Sequence, residues 1–324
     1  MADRLVPQKR SSDSPPKPPW VRVRLPSGEA VARLRELIHG QHLHTVCEAA
    51  LCPNMAECWG RGTATFMILG DVCTRNCRFC AVKHGVPERT SEGATEPLQV
   101  ARAVAAMGLR HAVVTSVTRD DLPDGGATVF AETIRWLRQL NPDCTVEVLT
   151  PDFGGNGEAL RTVMDASPDI FGHNMETVPR LYPAARPEAR YQRSLRVIER
   201  ARSLKPHCPT KSGLMLGMGE TEEEILAVMR DLRRVGCDIL TLGQYLRPTR
   251  AHLPVARFYT PEQFAALAEA GHRIGFAHVE SGPLVRSSYH ADTQAGSRQR
   301  AAMARDNPLK IRSADGSDRK VRLG

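Results

Sequence analysis

Three cysteines lie close together in the stretch Cys73-Thr-Arg-Asn-Cys77-Arg-Phe-Cys80, with three and then two residues between them. Three thiolates on one short loop can hold three irons of a [4Fe–4S] cluster and leave the fourth iron without a protein ligand. A metal with an open coordination position can do chemistry, as the open position of a catalytic zinc does. Phe79 can lay an aromatic face beside the cluster and anything bound to it. The spacing therefore predicts a reactive iron–sulfur site on this loop.

A second cysteine triplet precedes the first, separated from it by a short linker and one predicted strand: Cys47, Cys52 and Cys58. Pro53 would break a helix running through this triplet, so its thiols can approach a metal from two directions. A structural zinc ion would need a fourth Cys or His, for which His42 and His44 are candidates. Beside an iron–sulfur loop, a second iron–sulfur cluster is the favoured interpretation.

The cysteine count supports metal binding over a disulfide framework. Six of the nine cysteines fall within residues 47–80, and the N-terminus lacks the apolar segment of a secretory signal. The remaining three are expected to be ordinary buried or partly buried thiols: Cys144, Cys208 and Cys237.

The formal net charge of +8 is concentrated at the two ends of the chain. Residues 1–24 carry six basic and two acidic side chains, and residues 296–324 carry eight basic and three acidic ones. Residues 25–295 are therefore left at −1. Basic tails more often favour solubility or attract an acidic partner than recognise a nucleic acid. We expect no nucleic-acid partner.

The N-terminus and the hydropathy predict where the protein resides. No run of 18 apolar residues is present, so we expect no membrane association. Basic residues and serines near the N-terminus are compatible with a mitochondrial presequence, but Asp3, Asp13 and two Pro-Pro steps disfavour an amphipathic transit helix. We expect a cytoplasmic protein, or a mitochondrial-matrix one if the source is eukaryotic.

Beyond the cysteines, apolar strands alternate with amphipathic helices. Strands are predicted at residues 65–70, 111–117, 145–150, 170–174, 212–217 and 239–243, and helices at 28–39, 97–108, 127–140, 158–166, 195–204, from 221 onward and at 261–274. Thr221 starts its helix with a capping box to Glu224. These six strand–helix units predict a parallel α/β fold, either a barrel or a doubly wound sheet.

In either fold the C-terminal ends of the parallel strands point to the ligand-binding face. The Cys73 loop follows the first strand, so the predicted cluster lies at that face. Each polar residue that follows the other strands can also be a simple cap or turn residue. Together they predict a polar mouth able to orient a cofactor with ribose, adenine and amino-acid groups: Thr115, Ser116, Asp120, Asp121, Asn174, Glu176, Glu220 and Gln244.

The spacing of the Cys73 loop resembles the radical S-adenosylmethionine (SAM) superfamily. The two triplets together with Arg286-Ser287-Ser288-Tyr289 resemble the narrower lipoyl synthase family. The likeness covers residues 45–291 and includes Gly62-Thr-Ala-Thr-Phe-Met-Ile-Leu-Gly, Val117-Thr-Arg-Asp-Asp-Leu, His173-Asn-Met-Glu-Thr, Lys211-Ser-Gly-Leu-Met-Leu-Gly and Leu242-Gly-Gln-Tyr-Leu.

The resemblance implies an incomplete (β/α)6 barrel with two [4Fe–4S] clusters and SAM as cofactors. Cys73, Cys77 and Cys80 would hold the SAM-binding cluster. The auxiliary cluster would be held by the second triplet and a serine, assigned to Ser288 with Ser287 as the alternative. Arg286 would orient that segment or contact the carrier domain. The expected SAM contacts are Phe79, Thr115, Ser116, Asn174 and Glu176.

The resemblance also implies the reaction and its partners. Sulfur would be inserted at C6 and C8 of an octanoyl chain on a lipoyl carrier domain, after a 5′-deoxyadenosyl radical abstracts hydrogen. A sulfide of the auxiliary cluster would be the sulfur donor. The implied partners are acyltransferase E2 subunits or the glycine cleavage H protein, a ferredoxin or flavodoxin as low-potential electron donor, and an iron–sulfur cluster carrier that rebuilds the auxiliary cluster.

Two other functions are compatible with parts of the pattern. A radical SAM methylthiotransferase acting on tRNA also uses two clusters, but it would need an RNA-binding face that the charge distribution does not predict. An iron–sulfur electron carrier would not need an open-site loop in a large barrel. The expected segments are basic tails at 1–24 and 296–324, an extension with the auxiliary cysteines at 25–64, the barrel at 65–275 and a serine-ligand segment at 276–295.

Overall fold

The computed structural model describes residues 14–21, 35–36, 38, 40, 43–49, 52, 54–87, 95–289 and 291. Most of the helix predicted at residues 28–39 and most of both predicted tails therefore lie outside the described residues. Residues 14–21 lie against the barrel, where Trp20 Nε1 donates a hydrogen bond to the Tyr259 carbonyl over 3.0 Å. Ser14 Oγ also accepts a hydrogen bond from the Val255 backbone N–H over 2.9 Å.

The described residues contain ten strands. They are β1 (His44–Thr45), β2 (Thr63–Ile68), β3 (Val72–Cys73), β4 (Lys83–His84), β5 (His111–Ser116), β6 (Thr145–Leu149), β7 (Ile170–Gly172), β8 (Thr210–Leu216), β9 (Ile239–Gln244) and β10 (His278–Gly282).

The same residues contain nine α-helices. They are α1 (Val46–Ala49), α2 (Met55–Gly60), α3 (Glu96–Met107), α4 (Ala127–Leu140), α5 (Gly157–Asp165), α6 (Tyr182–Ala185), α7 (Tyr191–Leu204), α8 (Glu222–Arg234) and α9 (Pro261–Ile274).

Eight strands form one sheet in the order β1-β2-β5-β6-β7-β8-β9-β10. All neighbours from β2 to β10 are parallel, and β1 pairs antiparallel with β2. The six predicted strand–helix units are confirmed and run in sequence order around the sheet. β10 adds a further parallel strand and β1 an antiparallel one. The sheet has edges at β1 and β10, so the fold is an incomplete barrel.

Two apolar clusters hold the helices on the sheet. The first packs α3, α4 and α5 against β2, β5 and β6, around fully buried Phe66, Phe130 and Phe171. The second packs α7, α8 and α9 against β8 and β9. Apolar strands buried on both faces are typical of parallel sheets whose faces are covered.

The predicted helix start at Thr221 is confirmed in both of its hydrogen bonds. Thr221 Oγ1 accepts from the Glu224 backbone N–H, and the Glu224 carboxylate accepts from the Thr221 backbone N–H. Such reciprocal caps satisfy donors that the first helical turn leaves without partners.

Candidate active site

The Cys73 loop rises from the C-terminal end of β2, at the face where the other strands also end. Its three thiols are free and half-buried. Cys73 Sγ accepts hydrogen bonds from the Thr118 and Arg75 backbone N–H groups over 3.3 and 3.5 Å. N–H groups that donate to a cysteine ligand's sulfur tune the reduction potential of an iron–sulfur cluster. The local backbone is therefore suited to a cluster ligand.

Burial raises the pKa of Cys77 to about 12 and that of Cys80 to about 11, and the charges of neighbouring cysteines and of Glu176 add to the rise. Arg186 opposes the effect at Cys77. Crowded, buried thiolates repel one another, and a bound metal supplies the positive charge that offsets the repulsion. The donor set thus fits a cluster.

An ion-pair network centred on buried Arg75 and Asp152 anchors the loop. Arg75 donates to Asp120 through Nε and Nη2, over 2.6 and 2.8 Å, and Nη2 also donates to Asp152 Oδ1 over 2.7 Å. Asp152 accepts on its other oxygen from Arg193 Nε over 2.7 Å. Burial alone would raise the pKa of Asp152, but hydrogen bonding and charge from Arg75 hold it well below its usual range. The network fixes the loop to the ends of β5 and β6.

Two further segments support the loop. The Arg78 backbone N–H donates to the Ala185 carbonyl over 2.8 Å, and the Arg78 carbonyl accepts from the Leu253 N–H over 3.0 Å. His252 Nε2 lies 2.9 Å from the Cys80 carbonyl. The loop is thus held on three sides by the barrel rim.

The predicted SAM contacts differ in what their polar atoms already bind. The Thr115 hydroxyl donates to the Leu149 carbonyl over 2.8 Å. Ser116 Oγ and Asn174 Oδ1 are buried and have no hydrogen-bond partner among the described residues. Asn174 Nδ2 donates to Glu176 Oε1 over 3.1 Å, and Phe79 is half-buried. Hydrogen-bonding capacity for a ligand therefore remains at Ser116, Asn174 and Glu176. The Thr115 hydroxyl already donates to a backbone carbonyl.

The other residues of the predicted polar mouth stabilise loops. Asp120 and Asp121 pair with arginines. Glu220 accepts from two backbone N–H groups and from the Tyr259 hydroxyl. Gln244 bonds the backbone at four places.

The second cysteine triplet forms a separate site with the C-terminal segment. Cys47 lies on α1, Cys58 on α2, and Cys52 between the two helices. Ser288 and Arg286 line the same small pocket as these three thiols, as do the Thr63 and Thr65 side chains of β2. Thr65 Oγ1 donates to Ser288 Oγ over 2.8 Å. The serine motif and the second triplet, far apart in sequence, are therefore adjacent.

The C-terminal segment reaches this site by crossing β9. A Cβ atom on Gly243 would lie 2.0 Å from the Val285 carbonyl oxygen, so the crossing requires glycine. Asn54 Nδ2 donates to the Leu284 carbonyl over 2.6 Å, and the Tyr289 hydroxyl lies 3.2 Å from the Glu57 carboxylate. These contacts bridge the open side of the barrel between β9 and the helices that carry the cysteines.

The electrostatics of the second site also fit a metal cluster. Burial raises the pKa of Cys47 to about 11, with a further rise from Cys52, while Thr65 and Trp59 oppose it. Burial raises the pKa of Cys52 and lowers that of Arg286, and the two groups partly offset each other. Thr63 Oγ1 is buried in this pocket with no hydrogen-bond partner among the described residues. An unpartnered hydroxyl beside three thiols can donate to a cluster sulfide.

Within the described part of the chain, no group of three or more His, Cys, Asp and Glu side chains is spaced to hold a single metal ion. Each thiolate of a [4Fe–4S] cluster binds a different iron, so cluster ligands need not converge on one point. His44 lies in β1, and His42 lies outside the described residues. The tight convergence that a zinc site needs is not present in this part of the chain.

Strand β2 adjoins both sites. Thr63 and Thr65 line the auxiliary pocket, and Met67, two residues further along the strand, lines a cavity of about 620 Å³. This cavity lies between the helix that carries Cys47 and the segment that follows Cys80. The second triplet therefore shares a pocket with Thr63 and Thr65 of β2, and the Cys73 loop follows the C-terminal end of the same strand.

The sequence did not predict the residues that hold the Cys73 site in place. Arg75 is within the cysteine loop, but its partner Asp152 is 77 residues away. Arg186 donates to the Asn174 and Met175 carbonyls over 3.0 Å and contributes charge at Cys77. One signal was available in the sequence, because Arg75 lies between two of the predicted cluster ligands. An arginine buried there needs an acidic partner close by.

Comparisons with known proteins agree with this geometry. The family model described as the radical SAM superfamily matches residues 67–232. The chain is 59% identical to a lipoyl synthase from Rubrobacter xylanophilus over 287 residues, which are 89% of this chain and 89% of that protein. It is 57% identical to a lipoyl synthase from Symbiobacterium thermophilum, over 90% of each chain. The crystal structure of HydG, a maturase of the [FeFe]-hydrogenase, matches with a TM-score of 0.52 and 15% identity, over 82% of this chain and 64% of that chain.

An incomplete parallel barrel with a three-cysteine loop at the mouth defines a radical SAM enzyme. The sequence identity to lipoyl synthases extends over most of the chain and specifies the family within that superfamily. This chain belongs to the lipoyl synthase family. It is a sulfurtransferase that uses SAM and [4Fe–4S] clusters to insert two sulfur atoms at C6 and C8 of a protein-bound octanoyl group. None of the helices in the described residues is long and apolar enough to cross a membrane.

Proposed function

We propose that the two cysteine triplets divide the reaction between them. Cys73, Cys77 and Cys80 are assigned to the cluster that binds SAM. The second triplet and Ser288 are assigned to the auxiliary cluster. The observation that carries this assignment is the pocket in which Ser288 Oγ lies with the thiols of Cys47, Cys52 and Cys58.

When bound, the first cluster with SAM would supply a 5′-deoxyadenosyl radical, and the auxiliary cluster would supply the inserted sulfur. C6 and C8 carry no acidic proton, so side-chain acid–base catalysis cannot activate them. The protein residues must instead bind the cofactor, position one C–H bond and exclude water. This agrees with the number of residues that anchor the Cys73 loop.

We assign SAM recognition to Ser116, Asn174 and Glu176, with Phe79 as an aromatic neighbour. The buried, unpartnered oxygens of Ser116 and Asn174 support the first two roles, since a buried acceptor without a partner is costly unless a ligand satisfies it. Burial raises the pKa of Glu176. Thr115 is assigned a supporting role, because its hydroxyl is already bound to a backbone carbonyl.

Ser288, rather than Ser287, is the proposed fourth ligand of the auxiliary cluster. Its oxygen lines the pocket and accepts a hydrogen bond from Thr65. An oxygen ligand is harder than thiolate and less suited to cluster iron, so Ser288 can release its iron when sulfur is removed. Arg286 brings a buried positive charge beside Cys52 and orients the same segment.

The octanoyl chain is proposed to reach the two sites through the cavity of about 620 Å³ beside β2. Its apolar lining suits an acyl chain: Leu43, Ala49, Met67, Ala81 and Val82. Its polar rim includes Asp71 and Lys83, whose ion pair spans 2.7 Å. An apolar channel with a polar rim is suited to an acyl chain on a lysine, which is apolar along its length and polar at the protein surface.

The carrier proteins of this reaction are lipoyl carrier proteins. We propose acyltransferase E2 subunits or the glycine cleavage H protein as the specific carriers, and a ferredoxin or flavodoxin as the electron donor. Because the auxiliary cluster is consumed, an iron–sulfur cluster carrier is needed to rebuild it. We also propose that the protein works in the cytoplasm.

The assignment is tested by iron and sulfide analysis, EPR and Mössbauer spectroscopy of anaerobically reconstituted protein. About eight irons are expected in the wild-type protein, and the Ser288→Cys variant should retain two clusters with an altered auxiliary spectrum. Ser287→Ala is the matched control and should leave that spectrum unchanged. A spectrum altered by Ser287→Ala and not by Ser288→Cys would reverse the assignment. Normal turnover by Ser288→Cys would refute the release role.

A further inference from the structure

A groove on the barrel rim is lined by four arginines, and three of them lie outside the ion-pair network that anchors the Cys73 loop. It encloses about 400 Å³ between the N-terminal half of α7 and the loop that precedes α5. Its cationic lining residues are Arg190, Arg193, Arg196 and Arg200. Three of them lie on α7 at positions i, i+3 and i+7, so they share one helix face. The result is a strip of positive charge about two turns long.

The groove is adjacent to the proposed SAM-cluster loop. Asp152 forms part of its wall and binds Arg193 on one oxygen and Arg75 of the cysteine loop on the other, each over 2.7 Å. Asp152 lies three residues beyond the C-terminal end of β6, so the groove opens at the same barrel face as that loop. A protein docked in the groove would therefore lie next to the place where the radical chemistry occurs.

Most of the groove's positive charge is available to a partner. Asp152 is the carboxylate among the described lining residues, and it is already paired with two arginines. Arg200 donates to the Gly155 carbonyl over 3.3 Å, and its charge has no carboxylate partner within the described part of the chain. Arg190 and Arg196 are exposed, and no hydrogen bond or ion pair of their side chains is found among the described residues.

The positive charge of the groove is a local feature. Residues 25–295 together have a net charge of −1, so a strip of four arginines is not explained by a generally basic barrel. Arginine is also the cation that interfaces favour, since its guanidinium makes bidentate contacts with carboxylates.

We propose that this arginine groove docks the lipoyl carrier protein by pairing with acidic side chains that the carrier presents beside its modified lysine. The proposal rests on the family reaction, in which the substrate chain arrives attached to a folded protein. A flexible acyl-lysine gives little to distinguish one protein from another, so recognition needs a surface contact outside the acyl channel. The groove offers such a contact by charge complementarity.

The experiment compares two substrates with the Arg190→Glu/Arg196→Glu double variant. One substrate is an octanoylated carrier domain, and the other is a short, uncharged peptide with octanoyl-lysine. We expect KM for the domain to rise about tenfold, as expected when rim contacts worth about 1.4 kcal/mol are lost. We expect kcat for the domain and both constants for the peptide to stay close to wild type. Arg230→Glu, an exposed substitution on α8, is the matched control.

Salt supplies a second measurement. Added NaCl should raise the wild-type KM for the domain, because exposed charge pairs are screened, and should raise that of the double variant much less. An unchanged KM for the domain would overturn the proposal. An equal rise of KM for the peptide would also overturn it, because it would place the arginines in the reaction site. Formation of 5′-deoxyadenosine with the peptide reports on the cluster assignments independently of docking.

Discussion

The two cysteine sites are built in opposite ways. The Cys73 site comes from one short stretch of chain and is fixed by buried ion pairs through Arg75. The auxiliary site joins residues on α1 and α2 to a segment more than 220 residues later, as in the contact between Thr65 and Ser288, which are 223 residues apart. Single hydrogen bonds and one close backbone contact at Gly243 hold it together, and the described contacts of this segment include no buried ion pair like that of Arg75 and Asp152.

The difference corresponds to what each site must do. On the proposed assignment, the Cys73 site must survive two rounds of radical formation, and a charged network with buried Arg75 and Asp152 resists local opening. The auxiliary cluster is consumed as sulfur donor, so its site must release iron and accept a new cluster. A segment held by hydrogen bonds worth about 1 kcal/mol each can detach at lower cost than a buried ion-pair network. We infer that the weaker construction allows renewal.

The largest contrast is expected from one substitution made in each triplet. Cys77→Ala should abolish 5′-deoxyadenosine formation, because SAM would lose the cluster that reduces it. Cys58→Ala should retain 5′-deoxyadenosine formation with octanoylated substrate and produce no lipoyl group, because the sulfur donor is lost. Both products are measured by mass spectrometry after anaerobic reconstitution. Loss of 5′-deoxyadenosine in both variants would show that the two sites are not independent.

The ion-pair network predicts a large stability difference within the first site. Arg75→Ala leaves Asp152 buried without its principal partner, and breaking a buried pair in this way costs about 3–5 kcal/mol. Arg193→Ala removes a partly exposed partner of the same carboxylate and should cost about 1–2 kcal/mol. Urea unfolding of both variants measures the difference. Equal effects would mean that the cysteine loop depends less on Arg75 than its contacts indicate.

The close contact at Gly243 predicts an effect confined to the second site. Gly243→Ala would place Cβ against the Val285 carbonyl, which must displace the segment that carries Ser288 at a cost of about 1–3 kcal/mol. The auxiliary cluster should be lost or become labile to chelators, while SAM cleavage is retained. Gly282→Ala is the control, because its Cβ would meet Val285 at an ordinary distance of 3.4 Å. An intact auxiliary EPR signal in Gly243→Ala would contradict the crossing.

The sequence predicted regular elements better than the contacts between them. The bounds of α4 and α9 agree with prediction, because amphipathic periodicity and caps are local signals. β10 was missed, since of His278-Val-Glu-Ser-Gly only Val279 is buried. An edge strand of this kind lacks the apolar run that marks β2. β1 was missed because it has only two residues.

The candidate site was predictable where chemistry is encoded in spacing. Both triplets follow from cysteine spacing, and the pairing of Ser288 with the second triplet followed from family resemblance. Spacing could not indicate that Asp152 binds Arg75, because such a contact depends on the register of β5 and β6. Gly243 likewise resembles an ordinary strand glycine in sequence. The need for glycine at this position is evident only from the structure, in which the C-terminal segment crosses β9 at Gly243.

The smallest expected effect is a shift in the reduction potential of the auxiliary cluster when a single neighbouring hydroxyl is removed. Thr63→Val keeps the side-chain shape but removes the unpartnered hydroxyl in the auxiliary pocket. One hydrogen bond to a cluster is worth about 1 kcal/mol, which for a one-electron couple is a shift of about 40 mV. We expect the midpoint potential of the auxiliary cluster to fall by about that amount, because the reduced, more negative cluster gains most from the donor.

The matched control is Thr115→Val, because the Thr115 hydroxyl is bound to a backbone carbonyl within the barrel and lies outside the auxiliary pocket. It should leave the auxiliary potential unchanged. EPR-monitored redox titration of both variants measures the shift without requiring turnover. An unchanged potential in Thr63→Val would mean that this hydroxyl does not contact the cluster. The potential of the auxiliary cluster would then depend on Thr65 and backbone N–H groups. The protein would make even fewer contacts with this cluster than the comparison with the Cys73 site indicates.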